Sequence, residues 1–184
     1  MARCARAGPA GSPQILDRRV IELADVKVAG SKQPFHAAER LPLEEAEALI
    51  GRCRKSTWAL ARQGLDEIAE GRAIGACGML LASGRPLPEL AAILASHALI
   101  HSAEGEFFRE AIAEASRQRK LPMCRIKERE LFDMCAAQLK LPGAQLDRQL
   151  SDWGKLLGPP WRQDEKYAAL AGWLALQVFT EPRS

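Results

Sequence analysis

Paired cysteines are missing from this sequence. The five cysteines, Cys4, Cys53, Cys77, Cys124 and Cys135, are odd in number, and none forms a C-x-x-C pair with another. That argues against a disulfide framework or a thiolate zinc site and makes reduced thiols in a cytoplasm the expectation. Aromatic residues are scarce at 5%, so most of the core must be Leu, Ala, Ile and Val. Long apolar runs are also lacking. The longest, residues 167–179, contains Gln177 and is too short to span a bilayer. It reads as a buried helix, and no membrane partner is expected. The first residues carry Arg3 and Arg6 but no apolar stretch behind them, which does not read as a secretory signal.

Several nucleotide and nucleophile signatures are absent. Gly51-Arg-Cys-Arg-Lys55-Ser56 has Arg54 where a phosphate loop needs Gly, its spacing is short, and it lies inside a strong helical pattern. Gly71, Gly75 and Gly78 have the wrong spacing for a dinucleotide fingerprint. There is no G-x-S-x-G elbow.

What remains is an ordinary globular composition. Hydrophobic residues make up 47% and charged residues 27% of 184, enough for a core without metal or disulfide staples. Residues 1–13 lack any period and read as a disordered tail, followed by a single α/β domain over 14–184. Residues 19–29 alternate and are rich in β-branched side chains, predicting a strand. A turn at 30–32 and a weaker strand over 33–40 would complete a hairpin. Residues 43–70 give the clearest helix, with Pro42 and three glutamates at its start. A short apolar run at 76–82 predicts a buried strand. Helical patterns follow over 89–101 and 104–120, as one helix or as two broken near Ser102. A strand at 123–126, helices at 128–139 and 142–150, a Gly/Pro loop at 154–163 and a last apolar helix opened by Asp164 complete the chain. The fold class is α/β: a small mixed sheet, made of the opening hairpin and two crossover strands, with helices packed on it.

Three features carry candidate chemistry. The chain has three histidines, and two of them, His97 and His101, stand four residues apart. On a continuous helix Leu90, Leu94, His97, His101, Glu104 and Phe108 share one stripe. Two imidazoles and the Glu104 carboxylate form a ligand set suited to a divalent metal such as zinc, manganese or iron. The alternative is a pair of half-buried histidines bonded to backbone or to Glu104, with Ser102 capping a new helix. Second, the loop 158–166 presents Trp161 for base stacking and Arg162 for phosphate, and Asp164 as either a helix cap or a reactive carboxylate. Third, Asp25 shares a strand face with Ile21 and Leu23, where an unpaired acid is costly. The net charge of +3 is small. Its concentration in 52–62, which includes Arg54 and Lys55, and in 117–129 suits either nucleic-acid contact or two solvated faces.

The order of elements over residues 20–176 resembles the RNase H-like fold, as in Holliday-junction resolvases. That resemblance implies carboxylates on the first strand, near a middle strand and on the last helix. Together they would hold two divalent ions for phosphodiester cleavage. The matching positions are Asp25, Glu104 or Glu106, and Asp164. The functional expectation is a metal-assisted hydrolase or nuclease-like protein. His97, His101, Glu104 and Asp164 would be its working groups, with His97, His101 and Glu104 on the metal. The alternative is a non-catalytic nucleic-acid-binding module using Arg54, Lys55, Trp161 and Arg162, or a protein-interaction domain.

Overall fold

The computed structural model describes residues 5–7, 13–71, 73–82 and 86–180. They fall into two compact units. One gathers Met1–Val20, Ala73–Ser83 and Lys120–Ser184, and the other Ile21–Arg72 and Gly84–Arg119. The protein is mixed α/β and mostly helical. Its elements run β1 (Ala5–Ala7), β2 (Pro13–Ile15), α1 (Pro34–Ala38), α2 (Leu43–Ala69), β3 (Cys77–Leu81), α3 (Leu90–Leu94), α4 (His97–Gln118), β4 (Met123–Lys127), α5 (Leu131–Leu139), α6 (Gly143–Leu157) and α7 (Gln163–Thr180).

The first unit is built on α7. Ala169, Leu170, Ala171 and Leu174 of that helix are buried together with Leu131 and Cys135 of α5, Leu146, Leu150 and Trp153 of α6, and Ile126 of β4. Strands β3 and β4 pair in parallel from Cys77↔Met123 to Leu81↔Lys127. At Gly78, β3 comes so close to α7 that a Cβ would collide with the Ala171 carbonyl. The Arg18 guanidinium gathers the loop before α7, donating to the carbonyls of Gly158 at 2.8 Å and Pro160 at 2.6 Å.

The second unit packs α2 against α4. Residues Ala46, Ile50, Cys53, Thr57, Ala61, Gly64 and Ile68 recur every three or four positions and, with Leu65, form the buried stripe of α2. On α4 the buried stripe is Ile100, Ala103, Glu104, Phe107, Ala111, Ile112, Ala115 and Ser116. Phe35 of α1 meets Phe107 edge to face at 6.1 Å. A five-residue helix is far too short to persist by its own hydrogen bonds. Helix α1 is held by the burial of Pro34, Phe35 and Ala38, of which Phe35 alone contributes about 2–3 kcal/mol.

Helices α2 and α7 and the crossover strands β3 and β4 fall where their periodicity predicts, within a residue or two, whereas the helical stretch of 90–118 breaks at a different place from the expected one. The opening hairpin does not form. Residues 19–33 are turns and irregular backbone, and 34–38 are helical. Two local effects decide this. Asp25 organises a turn: its Oδ1 accepts the Lys27 amide at 2.9 Å, and its carbonyl accepts the Val28 amide at 3.0 Å and the Ser31 hydroxyl at 2.6 Å. Pro34 takes the first helical position, where its ring fixes φ and no amide is needed. Two of the four β-branched side chains behind the strand expectation are left in water, Val20 at 77% and Val26 at 85% exposure. The expected single mixed sheet is replaced by two separate two-stranded sheets, because the antiparallel pair is β1–β2 (Ala5↔Ile15). Ala5–Ala7 thus belongs to a strand, while residues 1–4 and 8–12 of the expected tail lie outside the described residues. Helix α6 also runs on to Leu157, beyond the expected stop at 150, because Trp153 extends its buried stripe.

Gly78→Ala is expected to destabilise the protein by about 3 kcal/mol, since backbone rather than a flexible side chain blocks the added methyl. Urea unfolding followed by circular dichroism measures the loss.

Candidate metal centre

The chain breaks at Ala95 and Ser96, between α3 and α4, and not near Ser102. Ser102 sits inside α4 and returns its hydroxyl to the Ala98 carbonyl at 3.0 Å. Leu90 and Leu94 therefore belong to a separate helix, while His97, His101 and Glu104 share α4. His97 opens that helix and His101 lies one turn on, so both imidazoles project from the same side. Both are exposed, and their Nε2 atoms stand 3.1 Å apart.

The third histidine completes the group. His36, on α1, lies edge to face against both partners, with ring centroids 5.4 Å from His97 and 4.8 Å from His101. One ring nitrogen from each of the three falls within 4.8 Å of the others. Among the described residues this trio is the one group of three or more His, Cys, Asp or Glu placed to hold a metal ion. With metal–nitrogen bonds of about 2.0–2.1 Å, as in zinc sites, two nitrogens 3.1 Å apart subtend an angle of about 98° at a shared ion. That suits a tetrahedral or octahedral position.

Glu104 plays a different part from the ligand role expected of it. It is only 9% exposed, and its Oε1 accepts the Phe35 amide at 2.9 Å, the His36 amide at 3.1 Å and a bond from His36 Nδ1 at 3.2 Å. The two amides belong to the first turn of α1, whose preceding residue Gln33 offers no side-chain cap. Glu104 supplies that cap across 69 positions of sequence. Its Oε2 is buried without a hydrogen-bond partner among the described residues.

Of the other expected site residues, Asp25, Arg54 and Lys55 share this unit, and Trp161, Arg162 and Asp164 belong to the other. Asp164 is exposed in the first turn of α7, in the other compact unit. It is not the cap either. Glu165 Oε2 accepts the Arg162 amide at 2.8 Å, the return half of a capping box. Asp25 is committed to its turn and to the Ser56 hydroxyl at 2.7 Å, and the donated amide of Lys27 is the main cause holding its carboxyl below the usual range. Arg54 and Lys55 are exposed on α2, and Arg162 is exposed before α7. Trp161 is no free stacking platform. Its Nε1 donates to the Leu150 carbonyl at 2.8 Å, and its ring fills the space over Gly154 that a side chain would need.

Sequence reasoning missed His36, because the strand expected over 33–40 separated it from any partner. Two signals pointed to it. Gln33-Pro34 is a helix start as readily as a strand, and the chain holds no other histidine to join the pair.

The described cysteines are no rival site. Burial pushes the Cys135 thiol up to about 12, and raises Cys124 as well. A raised thiol pKa favours the neutral form. Its contribution to stability is complete below the ordinary thiol range and is lost as pH climbs from there towards 12. Iodoacetamide at pH 8 is expected to leave Cys135 unmodified in the folded protein and to label it in urea, as read by peptide mass spectrometry. No protein-family model, curated protein or solved structure matches this chain.

Proposed function

We propose that this protein binds one divalent transition-metal ion through His36, His97 and His101 and uses it as the Lewis acid of a hydrolytic site. The observation that carries the reading is that all three histidines of the chain, from two helices, bring one ring nitrogen each to within 4.8 Å of the others. Three imidazoles with no carboxylate in the donor set favour zinc, copper, nickel or cobalt over magnesium or calcium. Three protein ligands leave a further position for water, which is the pattern of catalytic rather than closed structural zinc sites. An ion there would lower the pKa of its water toward neutrality and supply a hydroxide nucleophile. Two of the ligands are exposed, so substrate and water can reach the ion from solvent.

An ester or phosphodiester electrophile is the substrate class that a metal-bound hydroxide would attack. The paired-ion nuclease scheme implied by an RNase H-like resemblance is not carried forward, because Asp25 is spent on its turn and Glu104 on α1.

Zinc titrated calorimetrically into chelator-stripped protein is expected to bind one to one. At a hundredfold excess over Kd it should stabilise the fold by about 2.7 kcal/mol. His36→Ala, His97→Ala and His101→Ala should each weaken binding by more than about a hundredfold, beyond the range seen for residues outside the ligand shell. Turnover of p-nitrophenyl acetate or bis-p-nitrophenyl phosphate should follow zinc content. Equal zinc affinity in the wild type and the triple alanine variant would end the proposal.

A further inference from the structure

Resting on the metal reading, we propose that Glu104 is the positioning residue of the centre. It fixes which nitrogen of His36 faces the ion and ties metal loading to the folding of α1.

Glu104 Oε1 receives two backbone N–H groups, from Phe35 and His36, and is also 3.2 Å from His36 Nδ1. An ionised carboxylate can only accept, so the proton on that third contact belongs to Nδ1. A neutral imidazole with its proton on Nδ1 carries its lone pair on Nε2. The carboxylate therefore sets the tautomer that leaves Nε2 free for a metal. A carboxylate behind a ligating histidine is the usual outer support of such sites, orienting the ring and raising its basicity.

The buried Oε2 adds a second argument. It has no partner among the described residues, and a carboxylate with 9% exposure retains little water to compensate. The two amides and the His36 ring offset part of that cost. A divalent ion on the far nitrogen of the same ring would offset more, since it draws electron density from the imidazole and strengthens the Nδ1–H bond to Glu104. The coupling is reciprocal. Whatever holds the ion on His36 also holds the Phe35 and His36 amides on Glu104, and with them the first turn of α1. His36 and His97 are 61 positions apart, so an ion bound to both also closes a long loop of chain.

Nitrogen-15 NMR of imidazole-labelled full-length protein, with and without zinc, tests this together with Glu104→Gln. Metal-free wild type is expected to show His36 protonated at Nδ1. Zinc should slow hydrogen exchange of the Phe35 and His36 amides. Glu104→Gln keeps an acceptor for those amides but removes the charge, and is expected to bind zinc 10- to 100-fold more weakly with the His36 tautomers mixed. A purely structural cap would lower stability and leave the zinc affinity of the folded variant unchanged, which overturns the proposal. A wild-type His36 protonated at Nε2 overturns it equally, and that measurement stands even if the variant does not fold. If wild type binds no zinc, the metal reading falls, while the tautomer of metal-free His36 still decides whether Glu104 sets it.

Discussion

A buried carboxylate must be answered by donors or it destabilises the fold that buries it, and Glu104 answers that demand with one short helix. Three donor groups from two adjacent residues, Phe35 and His36, meet a single oxygen. A helix of five residues has almost no stability of its own. This contact, with the burial of Phe35 against Phe107, keeps α1 in place on α4. The histidine cluster follows, because His36 stands one residue beyond Phe35 and its ring leaves Glu104 toward His97 and His101. Take away the carboxylate and only the burial of Pro34, Phe35 and Ala38 is left to place the third imidazole.

Each compact unit solves its own packing problem with small residues at crossing points. In the first, Gly78 admits the backbone of α7 and Gly154 admits the ring of Trp161. In the second, Gly64 admits Ile21, whose side chain would stand 2.5 Å from an added Cβ, and alanines line both α2 and α4. With few aromatic residues, close approach of backbones replaces bulk as the source of dispersion contacts. Both histidines of α4 sit one turn apart at the start of a 22-residue helix.

The chemistry is reached from the same arrangement. Two imidazoles on one helix turn are a common accident of sequence. A third arriving from a distant helix, with its ring supported by a buried carboxylate, is a costly arrangement for a plain surface to maintain. The basic residues and Trp161 that suggested nucleic acid belong to different compact units. Arg54 and Lys55 lie along an exposed helix face, and Trp161 is engaged with Leu150 and Gly154.

The sequence by itself determined the long helices α2 and α7, the helical character of 90–118 though not where it breaks, the two parallel strands, and the facing of His97 and His101. These depend on periodicity and on spacing within one element, which a chain carries locally. Only the tertiary structure decided the rest. Alternation at 19–29 promised a strand, but a strand needs a neighbour to accept its hydrogen bonds, and the Asp25 turn supplied nearer partners. Glu104 kept its place in the helical stripe yet changed role, because its donors lie 68 and 69 positions away. His36 joined the site for the same reason. Contacts across that separation depend on how α1 docks, and docking follows from burial in three dimensions rather than from any pattern along the chain.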